Sequence, residues 1–91
     1  MINLGQTVMT RGIGNAVVEN YLFYKFVFDS LERYKNQDWG DLPHEDKLMN
    51  NRAVKNNDDR MVARYNSEHG DIYIITEWDR SYTTILFTNE Y

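Results

Sequence analysis

Ile72-Tyr73-Ile74-Ile75-Thr76-Glu77-Trp78, then Asp79-Arg80-Ser81, then Tyr82-Thr83-Thr84-Ile85-Leu86-Phe87: the reading of this stretch decides the fold. Ile72, Ile74, Thr76 and Trp78 alternate with Tyr73, Ile75 and Glu77, the period-two pattern of a strand with two distinct faces. The last six residues are rich in β-branched and aromatic side chains, which fit a pleated surface. Asp79-Arg80-Ser81 leaves room only for a tight connection, so the two strands must pair antiparallel. Upstream, Met61, Ala63 and Tyr65 alternate with Val62 and Arg64, and Asn66 to Asp71, containing Gly70, reads as a hairpin loop. Three strands joined by two short loops predict an antiparallel meander over about 60–88.

Working back from the meander, the pattern changes to a helical one. Tyr21 to Asn36 carries Phe23, Phe26, Val27, Leu31 and Tyr34 on one arc of a helical wheel, and Lys25, Asp29, Glu32, Arg33 and Asn36 in a narrow polar stripe. Tyr21, Tyr24 and Phe28 widen the apolar arc beyond half the circumference, more than the stripe of about 100° that a surface helix needs. This helix is therefore either packed on two sides or displays an aromatic flank. Before it, Ile13, Ala16 and Val17 recur at helical spacing over 13–19, with Thr10 or a neighbour as cap. Gly5, Gly12 and Gly14 mark a turn-rich entry with one short extended piece at Thr7-Val8-Met9. After it, Asp38-Trp39-Gly40-Asp41-Leu42-Pro43 is a loop, with Trp39 as a lid over the core edge. Pro43 suits the first turn of a third helix running to about Lys55. Glu45 and Asp46 in its first turn and Lys55 in its last match the helix dipole. The expected fold class is α+β: one domain over 1–91, its N-terminal helices (about 10–56) packed on a three-stranded antiparallel β-meander.

Length and composition set outer bounds. A chain of 91 residues buries about two-thirds of its surface, enough for one modest core. It is too short for a TIM barrel, a full dinucleotide-binding fold or a kinase. A hydrophobic content of 42% is too high for a disordered chain. There is no cysteine, so neither disulfides nor thiolate zinc sites contribute, and noncovalent packing must hold the core. The N-terminal residues lack the basic and apolar runs of a signal peptide, and no window is apolar enough to span a membrane. These features predict a cytoplasmic protein with no membrane partner.

Net charge is −4 and uneven. Residues 37–59 carry three basic side chains against six acidic ones, Asp38, Asp41, Glu45, Asp46, Asp58 and Asp59. Phosphate backbones are bound by clustered Lys and Arg, so direct nucleic-acid binding is disfavoured and a basic protein surface is the better electrostatic match.

Motifs for chemistry are sparse. His44 and His69 belong to no His-x-x-x-His or His-Glu-x-x-His pattern and read as exposed polar side chains. The acidic residues could hold magnesium for nuclease chemistry, but dipole complementarity and turn formation explain them more cheaply. Ser30, Ser67 and Ser81 lie in no Gly-x-Ser-x-Gly setting, and Arg11-Gly12-Ile13-Gly14-Asn15 is not followed by the Gly-Lys-Ser/Thr of a phosphate loop. Asp79 and Arg80 read as an Asx-turn or local ion pair. The sequence thus predicts no enzyme, no cofactor and no metal site. What remains is aromatic: 13 of 91 residues are Tyr, Phe or Trp, types enriched at recognition surfaces. Tyr21, Tyr24 and Phe28 either pack under the N-terminal segment or the sheet, or form a partner-binding flank. A homodimer would also satisfy the wide apolar arc.

Several stretches carry a resemblance: Thr7-Val8-Met9-Thr10-Arg11-Gly12-Ile13, Asp38-Trp39-Gly40-Asp41-Leu42, Glu45-Asp46-Lys47, Thr76-Glu77, Asp79-Arg80-Ser81, Thr83-Thr84-Ile85-Leu86-Phe87 and Glu90-Tyr91. The chain resembles a family of small proteins carried by phages, plasmids and integrated elements of Gram-positive bacteria, given labels such as plasmid-related or restriction-associated. The resemblance implies a mobile-element context and no established active site. It differs early in the second helix, where Tyr21, Leu22, Tyr24 and Phe28 replace the family's usual polar residues. The expected function is that of a non-enzymatic inhibitor of a bacterial defence nuclease such as a CRISPR effector, most concretely an anti-CRISPR protein. It would block a basic nucleic-acid-binding surface through Tyr21, Tyr24 and Phe28 together with the six acidic residues. The alternative is an accessory or regulatory subunit of a restriction-modification or plasmid-maintenance system. A small metal-dependent enzyme acting on nucleic acid is the third class.

Overall fold

Alternation and helical periodicity resolve into an α+β architecture in the computed structural model, which describes residues 2–91. The order is β1 (Gln6–Met9), α1 (Arg11–Glu19), α2 (Tyr21–Lys35), α3 (His44–Asn56), β2 (Met61–Tyr65), β3 (Ile72–Thr76) and β4 (Tyr82–Phe87), with a final 3-10 turn at Thr88–Glu90. β2, β3 and β4 form the expected meander, with Ala63 opposite Ile74 and Ile74 opposite Ile85. The three-stranded sheet needs correction, because β1 adds a fourth strand parallel to β4 and makes the sheet mixed, in the order β1-β4-β3-β2. All four β1 residues are exposed, so their sequence shows no burial alternation, and their partner lies at the far end of the chain. Trp78 also departs from expectation: β3 ends at Thr76, and the tryptophan is exposed in the turn.

One face of the sheet carries Met61, Ala63, Tyr65, Ile72, Ile74 and Ile85, all fully buried. They meet Ile13 of α1, Phe23, Val27, Leu31 and Tyr34 of α2, Ala53 of α3 and the loop residue Trp39 in one apolar cluster. Phe26, placed in the core arc by its spacing, is only half-buried at the edge of that cluster. Phe23 stacks on Phe87 at 5.4 Å between ring centres, while the Tyr34 hydroxyl sits 3.4 Å from the Met61 carbonyl of β2 and 2.8 Å from Thr76 Oγ1 of β3. α2 therefore runs antiparallel to β4, its first turn over Phe87 and its last over Thr76 and Thr83. No helix of the described residues is long and apolar enough to cross a membrane.

Helix ends follow their local chemistry. Thr10 Oγ1 accepts from the Ile13 N–H at 3.3 Å and starts α1. Asn20 ends α1 and caps α2, its Oδ1 accepting from Leu22 N at 3.0 Å and Phe23 N at 3.2 Å. Asn57 closes α3 in the left-handed region, a conformation asparagine tolerates.

Two buried polar systems tie these layers together. Thr83 Oγ1 donates to the Leu4 carbonyl at 2.6 Å, so it must accept from Thr76 at 2.8 Å, and Thr76 in turn accepts from the Tyr34 hydroxyl at 2.8 Å. This single-direction chain joins α2, β3, β4 and the segment before β1, and burial pushes the Tyr34 hydroxyl up to about 12. Arg80, buried in the β3–β4 turn, donates to five carbonyls: Nη1 to Asp59, Glu77 and Trp78 at 2.7, 3.2 and 3.0 Å, Nη2 to Ala53 and Asp58 at 3.0 Å each. The expected Asx-turn is present, Asp79 Oδ1 accepting from Ser81 N at 3.0 Å. The arginine beside it forms no ion pair among the described residues; it fastens the end of α3 and the following loop to the sheet.

The loop 38–41 straps the outer edge of β2. Gly40, at φ +76°, forms a parallel bridge with Arg64, and an added Cβ would overlap the Arg64 carbonyl and lie 2.6 Å from the Tyr65 ring. Asp41 N–H donates to the same carbonyl at 2.6 Å. Trp39 does sit over the core edge, edge-on to Tyr34 with ring centres 5.3 Å apart, and its Nε1 donates to Asn51 at 2.8 Å.

Candidate functional site

α2 buries Phe23, Val27, Ser30, Leu31 and Tyr34, which leaves the positions about 100° around the wheel to face outward. Tyr21, Tyr24 and Phe28 occupy them at i, i+3 and i+7. Neither the N-terminal segment nor the sheet covers them: they are 72%, 45% and 41% exposed. Tyr21 stacks on Tyr24 with centres 6.1 Å apart and planes within 17°, and Tyr24 tilts against Phe28 at 4.8 Å. The rings thus form an ordered ladder. At about 200 Å² per aromatic side chain they expose roughly 300 Å², the size at which a contiguous apolar patch on a monomer is often functional. Along the polar stripe, Lys25 and Asp29 pair at 3.0 Å.

The six acidic residues are not gathered into one surface. Asp38 is paired with Arg33, at 2.7 Å from Nε and 3.2 Å from Nη2, and also accepts from Gly40 N at 3.1 Å. These donors, the guanidinium first, hold its carboxyl below the usual carboxylate range. Asp41 Oδ2 accepts from Asn66 N at 2.9 Å. Both carboxylates thus serve the strap on β2. Glu45 and Asp46 project from the first turn of α3, and Asp58 and Asp59 follow its last turn, all four exposed. About 18 Å of helix separates the two pairs at 1.5 Å per residue. Asp58 and Asp59 lie beside Arg80, at the end of the sheet opposite Tyr21.

A pocket opens between α3 and the face of the sheet turned away from α1 and α2. Its volume is about 380 Å³. Met49 and Val62 form apolar walls, Tyr73 and Tyr91 meet edge-to-face at 5.5 Å, and Asp46, Asp59 and Arg60 complete the lining. Arg60 donates to the Tyr91 hydroxyl, its guanidinium carbon 5.7 Å from the ring centre. Alternation set Val62 and Tyr73 on the face opposite Met61, Ala63, Ile72 and Ile74, but the pocket depends on Tyr91 folding back onto β3, which no spacing predicts. Arg80 carried no readable signal either, a lone arginine in a turn.

His44 begins α3, and His69 Nδ1 lies 3.3 Å from Asn20 Nδ2 at the far end of the sheet. Among the described residues no three His, Asp or Glu side chains converge as metal ligands. Protein-family models, curated proteins and solved structures provide no match to this chain.

Proposed function

We propose that this chain is a non-enzymatic binding protein of a mobile element that inhibits a bacterial defence nuclease in the host cytoplasm, in its most concrete form an anti-CRISPR protein. The observation that supports the reading is the exposed Tyr21–Tyr24–Phe28 ladder. Tyrosine-rich, already ordered side chains lose little conformational entropy on docking and supply the large desolvated anchors that dominate interfaces. Guide-and-target channels of RNA-guided nucleases are lined with positive charge. Glu45, Asp46, Asp58 and Asp59, whose carboxylates are in no ion pair among the described residues, complement such a channel. Asp38 and Asp41 shape the surface more than they offer charge.

Target cleavage by CRISPR effector nucleases, titrated with the protein, tests the reading. Inhibition is expected to saturate at stoichiometric ratios. The triple change Tyr21→Ala, Tyr24→Ala, Phe28→Ala should weaken it by about 100-fold or more, as loss of two or more anchors implies. Tyr24 and Phe28 are each more than half covered, so the triple variant should melt at a lower temperature while keeping the native circular dichroism, and inhibition is compared well below that transition. Inhibition at a small fraction of the nuclease concentration would point to turnover, and undiminished inhibition by the triple variant would remove α2 from the interface.

A further inference from the structure

We propose that the pocket between α3 and the outer face of the sheet receives an arginine side chain of the protein partner. This deepens the reading above and rests on it for the protein nature of the ligand. A volume of about 380 Å³ admits one long side chain with its backbone and little more. The apolar walls of Met49 and Val62 suit the methylene stem of such a side chain, and the Tyr73 and Tyr91 rings suit a flat, weakly hydrated cation. Two carboxylates against one guanidinium leave the lining at a net −1, which repels phosphate and favours a cation. Neither Asp46 nor Asp59 is in an ion pair among the described residues, so both retain charge for a ligand.

The protein's own side chains already rehearse the contact. Arg60 donates to the Tyr91 hydroxyl, and the Arg64 guanidinium carbon lies 5.8 Å from the Tyr73 ring centre. Arg60 is exposed, so it can swing into solvent and yield the Tyr91 edge to an incoming guanidinium. Asp59, next to Arg60 on the Tyr91 side, would pair with the entering guanidinium, while Asp46, at the other end of α3, adds negative field without touching the same group.

The test is a titration of the isotope-labelled protein with an acetyl-Gly-Arg-Gly-amide peptide, followed by the backbone amides of Val62, Tyr73 and Tyr91. Weak, saturable shifts confined to the pocket are expected. The citrulline version of the peptide, equal in shape but uncharged, should bind at least about fivefold more weakly. Asp59→Asn should weaken the arginine peptide several-fold and Asp46→Asn by less; the asparagine at 59 keeps the acceptor for Arg60 N–H and tolerates the positive φ there. Arg60→Gln should tighten it. Equal binding of the two peptides, indifference to both aspartate changes, or silence at Tyr73 and Tyr91 overturns the proposal. A nuclease inhibited by a protein whose pocket is silent would leave the α2 reading standing and remove this one. A responsive pocket in a protein that inhibits no defence nuclease would do the reverse.

Discussion

The two edges of the sheet are treated in opposite ways. Along β2, Asn50 of α3 places Nδ2 on the Val62 carbonyl at 2.9 Å and Oδ1 on the Val62 N–H at 3.2 Å, and the strap at Gly40-Asp41 covers Arg64. Along β1 the outer edge meets no neighbour among the described residues, and the strand carries no charge or proline to discourage pairing. Its protection is its brevity, four residues. The covered edge draws on α3, the strap and the Arg80 anchor, and in return carries the pocket. An edge sealed by side chains from a helix makes a rigid wall, whereas an open edge costs nothing in sequence and builds nothing.

The largest effect expected from breaking this contrast lies at Arg80. Arg80→Ala removes five hydrogen bonds, leaves the Asp58, Asp59 and Trp78 carbonyls without a donor and frees the end of α3 from the sheet, costing about 4 kcal/mol in urea unfolding. Arg80→Lys should recover less than half, because one ammonium cannot span the fan of acceptors. Next is Asn50→Ala, which exposes both Val62 backbone groups and should cost about 2 kcal/mol while leaving β1–β4 amide protection unchanged.

Acid sharpens the comparison further. The folded value of Asp38 is depressed, so its contribution is present above the ordinary value of 3.8 and is lost as pH falls through the lower folded one. Acid should loosen the strap on β2 before it disturbs β1, seen as early hydrogen exchange at Asp41 N–H, and Asp38→Asn should abolish the pH dependence of that step. The smallest effect belongs to the open edge: Val8→Lys should change stability by less than about 0.5 kcal/mol. A loss of several times that amount in a concentration-dependent melt would mean that β1 is paired in solution.

Much of the architecture was legible. Met61, Ala63, Tyr65, Ile72 and Ile74 announce a buried face by alternation, and Phe23, Val27, Leu31 and Tyr34 announce theirs by helical spacing. The Tyr21, Tyr24 and Phe28 stripe was legible as a face of α2, but not as an exposed one, since periodicity is the same under a neighbour or under water. The acidic residues could be counted but not sorted. Asp38 and Asp41 turn inward to the strap because Gly40 brings that loop against β2.

Local patterns, the cap at Thr10 and the short loops were enough to dictate most of the elements and their α+β class, because those depend on neighbours within a few residues. Distant encounters had to be decided by the folded chain: β1 beside β4, Tyr91 on Tyr73, Arg80 among the carbonyls of α3 and its loop. The reason is physical. Backbone groups and ring faces look alike along the chain, and only packing of the whole core selects which of them meet.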